Sequence, residues 1–485
     1  MKLSNAILST LPETVQTPSY DRAALTPGIL HIGVGNFHRA HQALYLDQLF
    51  NTGRDHDWAI VGAGVMRFDA DRREALKSQD WLTTVVELDP VRLSARVIGS
   101  MIDFCEVGGE AIVDRMADPA IRIVSLTITE GGYFIDASTG GFDCNHPDIQ
   151  HDAQHPNHPR TVFGTLLAGL RRRRDQGHPA FTILSCDNLP ENGHITRQAV
   201  EGLAGMISGD LRQWVTSHVA FPNGMVDCIT PATSDRERVL VTERFGIEDA
   251  APVVCEPFRQ WVLEDNFPLG RPALEHVGVQ FVTDVTPYET MKLRILNAGH
   301  AAIAYASALL GHRYVHEAMA DPDIRDWLME LMRREVIPVL RPIAGVSYED
   351  YLQICVERFS NPAVGDTIAR LCLDGSNRQP KFVLPTIAEA LRAGAPIDGL
   401  TLEVALWCRY CAEAGEALDD ERAAELSEAA RATRDNPLAF IERVGVIGTL
   451  ARKPVFAEAF ASQITQLWTR PARQVLRQFT GQGVG

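Results

Sequence analysis

The chain lacks what exported, membrane-spanning and nucleic-acid-binding proteins depend on. Its nine cysteines are scattered through 485 residues and odd in number, so they do not make a disulfide framework, and the cytoplasm is the expected compartment. No window approaches the roughly 18 uninterrupted apolar residues of a bilayer span, and the apolar run near Met1 is too short for an export signal. No membrane partner is expected. Basic charge is in deficit: 46 Lys and Arg against 62 Asp and Glu leave a net charge of -16 without a basic stripe, which argues against nucleic acid as a partner. The basic run Arg171–Arg174 follows the periodic stretch Val162–Leu170, where a helix C-terminus favours cations. Regular metal-ligand spacing is missing too. His146, His151, His155 and His158 lie among Pro, Asn and Asp and read as a solvated loop, and Cys408 and Cys411 read as thiols inside a helix, so no metal site is expected.

What is present is length and alternation. A chain of 485 residues exceeds one ordinary core, so two large domains are expected, and no internal repeat or low-complexity segment is visible. Up to about residue 286, β-branched strands alternate with helix-like segments, the pattern of an α/β domain with a mainly parallel sheet. Beyond it the 3.6-residue period dominates at Ala301–Leu310, Ile324–Val339, Tyr348–Arg358, Ile387–Arg392, Leu402–Ala414, Glu421–Thr433 and, in pieces, Val455–Leu476. The division is therefore an α/β domain over 1–286 and a largely helical domain over 287–485. Between Pro252 and Pro272 apolar and charged residues mix, as at an interdomain seam.

The first domain opens with Gly28-Ile29-Leu30-His31-Ile32-Gly33-Val34-Gly35-Asn36-Phe37-His38-Arg39-Ala40-His41, a strand, a glycine turn and a helix start. Such a turn can present backbone N–H groups to a dinucleotide pyrophosphate. His38 stands where the usual third glycine would be, so a plain strand-to-helix turn stays open from these residues alone. A second strand ends near Gly64, and Asp69 beyond it can accept from an adenosine ribose. It lies 36 residues after Gly33 instead of about 20, a gap partly filled by an expected helix at Gln42–Asn51. Two further strands end in Glu130-Gly131-Gly132 and in Cys186-Asp187-Asn188. The carboxyl ends of parallel strands border the ligand crevice, which places Glu130 and Asn188 there.

The second domain opens with Pro287-Tyr288-Glu289-Thr290-Met291-Lys292 and runs through Asn297 to His300. On an α-helix, 100° per residue puts Lys292, Asn297 and His300 within about 140° of arc, so a base, an amide and an imidazole share a face. Oxidising a secondary alcohol by hydride transfer requires a base for the O–H proton and donors for the oxyanion left behind. A Lys serves as that base only where desolvation and a neighbouring positive ring depress its ordinary pKa of about 10.4. From this stretch alone, a surface Lys and a capping Asn on an amphipathic helix remain an open reading.

Five blocks then carry a resemblance: Gly33–His41, Thr127–Tyr133, Ser185–Pro190, Cys255–Val262 and Lys292-x4-Asn297-x2-His300. Together they resemble the long-chain, zinc-independent polyol dehydrogenases almost end to end. The resemblance implies a Rossmann-type domain, a helical domain and an active site between them, with NAD as cofactor and a polyol/ketose pair as substrate, D-mannitol and D-fructose foremost. It further implies Lys292 as general base, Asn188 and Asn297 on the reacting oxygen, His300 orienting the polyol and Glu289 passing the proton to solvent. Gly33, Gly35, Asn36, Phe37, Arg39, Asp69 and Glu130 would line the cofactor, and Asp227, Arg370 and Arg378 the substrate. Relatives carry Lys in a Ser-Ser-Lys context where this chain has Ser376-Asn377-Arg378, and a guanidinium is a planar fork where an ammonium is a point charge. The family is often monomeric. Two other readings stand beside this one: a hexuronate reductase, in which Arg370 or Arg378 pairs with a substrate carboxylate, and a dinucleotide-sensing protein without turnover.

Overall fold

The computed structural model describes residues 1–136 and 139–482. It divides into two compact units, Met1–Thr286 and Pro287–Gly485.

The first unit is built on five parallel strands: β1 (Pro27–Ile32), β2 (Ala59–Ala63), β3 (Met101–Phe104), β4 (Ile123–Leu126) and β5 (Thr182–Ser185), in the order β3-β2-β1-β4-β5. That order places β1 at the centre and makes the gap between β1 and β4 the topological switch point, where dinucleotides bind in this fold. Leu30 pairs with both Val61 and Val124, and the strand is buried on both sides, hence its nearly continuous apolar sequence. Alternation divides its residues between two cores: Leu30 and Ile32 pack with Phe163, Leu166 and Val200, while Ile29 packs with Leu46, Leu49 and Phe50.

Helix α1 (Asn36–Ala40) follows the glycine turn and α2 (Gln42–Asn51) follows α1; α3 (Asp69–Lys77) follows β2. Helix α4 (Val162–Asp175) starts at Thr161, whose side chain accepts from Gly164 N, and ends in Arg172–Arg174, so the basic run does complement a helix C-terminus. Two expectations are corrected here. The histidine-rich stretch holds a helix, Pro147–Gln154, with His146 as its N-cap and Pro147 at the first position, a start signal that the surrounding polar residues obscured. The Pro252–Pro272 stretch forms sheet inside the first unit. Val253–Cys255 pairs in parallel with Thr83–Glu87, and Gln260–Glu264 pairs antiparallel with Gly224–Asp227 and parallel with Gln280–Val282.

The second unit is helical among its described residues. Its longest helices, Asp398–Glu413 and Pro454–Thr469, pack against each other, and Cys408 and Cys411 are buried in the first of them. Four short helices carried no clear period in the sequence: Val315–Ala320, Ile368–Cys372, Gly375–Phe382 and Ala439–Arg443. Gly375 and Pro380 hid the third, since both residues normally argue against a helix interior. No helix of the described residues is long and apolar enough to cross a membrane.

Candidate active site

The glycine turn is held open by close packing. Gly33 has φ +95, and a Cβ there would lie 2.1 Å from the carbonyl oxygen of Thr127, the residue that follows β4. Only glycine fits on both counts. The Thr127 hydroxyl donates to Gly33 O at 2.6 Å, and His31 bridges the same region, with Nδ1 2.8 Å from Ser125 Oγ and Nε2 2.9 Å from Thr127 Oγ1. Burial pushes the His31 imidazole down to about 3, so it stays neutral inside this network. His38, in the place of the third glycine, lies flat on His31, ring centroids 3.4 Å apart and nearly parallel. Two stacked planar rings allow the close helix-to-strand approach that a glycine usually provides. At Gly35 the nearest atom to an added Cβ is 3.8 Å away, so the turn leaves open space at the N-terminal end of α1. These residues fit a dinucleotide pyrophosphate.

Not every residue of this turn faces that space. Arg39 is buried, and its guanidinium donates to Gly35 O at 3.1 Å, to Asn36 Oδ1 at 2.7 Å and to Ala251 O. All three of its nitrogens are engaged within the first unit, and these bonds brace the turn. Asn36 also donates to Thr233 Oγ1 at 3.0 Å, and Phe37 stacks on His41 with centroids 4.8 Å apart.

Asp69 opens α3 at the end of β2. Its Oδ2 accepts from Met66 N at 2.9 Å and its carboxylate packs against Gly64, which holds the side chain at the mouth of the strand. Burial raises its carboxyl, opposed by the Met66 bond and by the charge of Arg72. An acid there accepts from ribose hydroxyls and repels a 2′-phosphate, while Arg72 softens the repulsion. Asp69→Ala is therefore expected to shift the ratio of kcat/KM for NADP over NAD upward by about tenfold, and an unchanged ratio in parallel assays would show that the carboxylate serves only α3.

Adjacent strand ends bring the Glu130 and Asn188 loops together through a residue that the sequence reading passed over. Asp187 accepts from Ile128 N at 2.9 Å, Thr129 N at 3.0 Å and the Tyr133 hydroxyl at 2.7 Å, and Tyr133 is also 2.6 Å from Ser185 Oγ. Thr129, just before Glu130, has φ +64, a costly conformation for a β-branched residue that persists only where its surroundings impose it. Asp187 imposes it, and its place next to Asn188 was the available signal. Replacing Asp187 with Ala should lower kcat about 10- to 100-fold with a smaller change in polyol KM, because a misplaced donor costs more in the transition state than in binding. A variant with wild-type kcat would show that neither loop reaches the chemistry.

Helix α5 (Thr286–Met291) runs into a π-helical segment, Lys292–Asn297, and on into α6 (Ala298–Leu310), both in the second unit. The run expected to share a face passes through this change of period: bonding from residue i+5 to i, as from Ala298 N to Leu293 O, brings residues five apart, such as Lys292 and Asn297, nearer to one side of the helix than α-helical spacing does. Lys292 and Glu289 are buried, and Asn297 and His300 are half-buried. His300 packs on Phe359 with centroids 4.1 Å apart. Asp227 is buried at the end of its strand in the first unit. Arg370 lies in the short helix Ile368–Cys372 and pairs with Asp366, and Arg378 donates from Nη1 to Leu371 O of that helix at 2.9 Å.

The family models for the mannitol dehydrogenase Rossmann domain and the mannitol dehydrogenase C-terminal domain match residues 27–276 and 284–468. The chain belongs to the mannitol dehydrogenase family. It is 53% identical to a mannitol 2-dehydrogenase of Cereibacter sphaeroides over 97% of this chain and 99% of that protein. Among solved structures it resembles the Pseudomonas fluorescens mannitol 2-dehydrogenase in ternary complex with NAD and D-mannitol, at 44% identity, a TM-score of 0.85 and coverage of 99% of this chain and 100% of that one. A D-sorbitol dehydrogenase in substrate-free form aligns with a TM-score of 0.91 at 34% identity, covering 98% of this chain and 100% of that one.

Proposed function

We propose that this chain is an NAD-dependent polyol dehydrogenase that oxidises D-mannitol at a secondary carbinol to D-fructose and also catalyses the reverse reduction. The observation that carries the reading is the run from Glu289 to His300, in which Glu289 and Lys292 are buried and a π-segment spans Lys292–Asn297, in a chain 53% identical to a mannitol 2-dehydrogenase over nearly its whole length. When bound, NAD supplies the hydride acceptor. The Lys292 amine takes the hydroxyl proton, and the amides of Asn297 and Asn188 donate to the oxygen as negative charge grows on it. His300 orients the polyol. Glu289, one turn before Lys292, passes the proton on to solvent, and Asp227 and Arg370 engage hydroxyls further along the substrate.

Gly33, Gly35 and Asn36 form the pyrophosphate turn, with Asp69 on the ribose and Glu130 beside it. The enzyme works as a monomer in the cytoplasm. Steady-state rates for D-mannitol, D-arabinitol, D-sorbitol and D-mannonate, each with NAD and NADP, test the reading: D-mannitol with NAD should show the highest kcat/KM, and a clear lead for D-sorbitol would displace it. Among the described residues no group of His, Cys, Asp and Glu is placed to hold a metal ion, and the Asn amides take over the polarising role of a metal. Exhaustive chelation is therefore expected to leave the rate unchanged, and loss that zinc restores would redirect attention to His146–His158.

A further inference from the structure

A guanidinium is the side chain best matched to a carboxylate, through two parallel N–H bonds. In Arg370 that fork is already filled. Its Nε and Nη2 donate to Oδ1 and Oδ2 of Asp366, both at 2.5 Å, from one helical turn further along the chain. The pair is fixed locally. Thr367 caps the helix Ile368–Cys372, its Oγ1 accepting from Arg370 N at 3.2 Å, while Asp366 Oδ1 accepts from Thr367 N at 2.9 Å.

Asp366 is 12% exposed and Arg370 50%, so the acid lies inward and the guanidinium turns an edge to the outside. Burial pushes the Asp366 carboxyl up, and the Arg370 bond and charge, together with His300, more than reverse it, leaving the group ionised below its ordinary range. The influence of His300 puts the pair beside the imidazole that orients substrate, consistent with the packing of the Ile368–Cys372 helix on α6. Arg378 lies at the end of the same helix, where its Nη1 donates to Leu371 O at 2.9 Å and to Arg370 O at 3.3 Å.

We propose that Asp366 determines substrate specificity: by filling the Arg370 fork it makes that end of the substrate site neutral, so that a terminal hydroxymethyl group is accepted and a carboxylate is rejected. The inference rests on the polyol reading above. A neutral hydroxyl needs only one of the remaining guanidinium N–H groups. An incoming carboxylate would meet a fork already neutralised and would approach a fixed like charge, which disfavours it.

D-mannitol and D-mannonate make the test, since they share their secondary hydroxyls and differ only in carrying hydroxymethyl or carboxylate at one end. The wild-type enzyme should oxidise D-mannonate with a kcat/KM at least about 100-fold below that for D-mannitol, and D-mannonate should be a correspondingly weak competitive inhibitor. Asp366→Asn removes the charge at nearly constant shape and should move the ratio toward D-mannonate by about 10- to 100-fold. Adding Arg370→Gln to that variant should abolish the gain, and Asp366→Glu should keep the wild-type preference.

Inhibition by D-mannonate as strong as the binding of D-mannitol to the wild type overturns the proposal without any variant. So does an Asp366→Asn enzyme, folded by circular dichroism, whose ratio does not move, or a gain that survives Arg370→Gln. A wild type that oxidises no polyol at all removes the polyol reading instead, and the assay separates that outcome because it is read before any variant is made.

Discussion

Lys292→Ala is expected to lower kcat for D-mannitol oxidation by about 10²- to 10⁴-fold, the range over which a positioned base contributes. NAD affinity, followed by tryptophan fluorescence, should stay within about threefold of wild type, because the amine acts on the alcohol and makes no cofactor contact in this scheme. Removing the Lys292 amine leaves the Asn297 amide in place as an oxyanion donor, so residual turnover should remain and should rise when a small exogenous amine is added. A rate within tenfold of wild type would place the base elsewhere.

Gly33→Ala should have the largest effect on cofactor binding. The added methyl would lie 2.1 Å from Thr127 O and 2.9 Å from Thr127 C, at φ +95, and the Thr127 backbone cannot retreat because its N–H donates to Ile32 O at 3.0 Å in the sheet ladder. Strained backbone and overpacking together cost on the order of 3 kcal/mol or more, so both a lower unfolding temperature and at least about a 100-fold weaker NAD affinity are expected. Gly35→Ala separates the two causes. Its backbone is extended, with φ -89, and its Cβ meets nothing closer than 3.8 Å, so the fold should hold while the methyl enters the space where a pyrophosphate would sit. A Gly33→Ala enzyme with wild-type NAD affinity would rule out this turn as the cofactor cradle.

Much of this was legible in the order of the residues. The alternation of strands and helices named the α/β class, and the helix Gln42–Asn51 was expected at the residues where it forms. Local signals suffice for such elements because their residue types and apolar pattern already favour the conformation that packing then completes. The blind spots share one cause. The helix Gly375–Phe382 forms despite Pro380, and the Pro252–Pro272 stretch forms strands, because partners distant in sequence outweigh local preference.

The sequence by itself determined the family, the glycine turn and the set Lys292, Asn297 and His300, since these depend on residue types at short fixed spacings. Tertiary structure alone decided how those residues are placed. It wound Lys292–Asn297 into a π-segment, turned Arg39 inward to brace the glycine turn, clamped the Glu130 and Asn188 loops together with Asp187, and filled the Arg370 fork with Asp366. Each outcome is the answer to a buried polar group's need for a partner, and which partner it finds depends on how the elements pack, which a linear order of residues does not state.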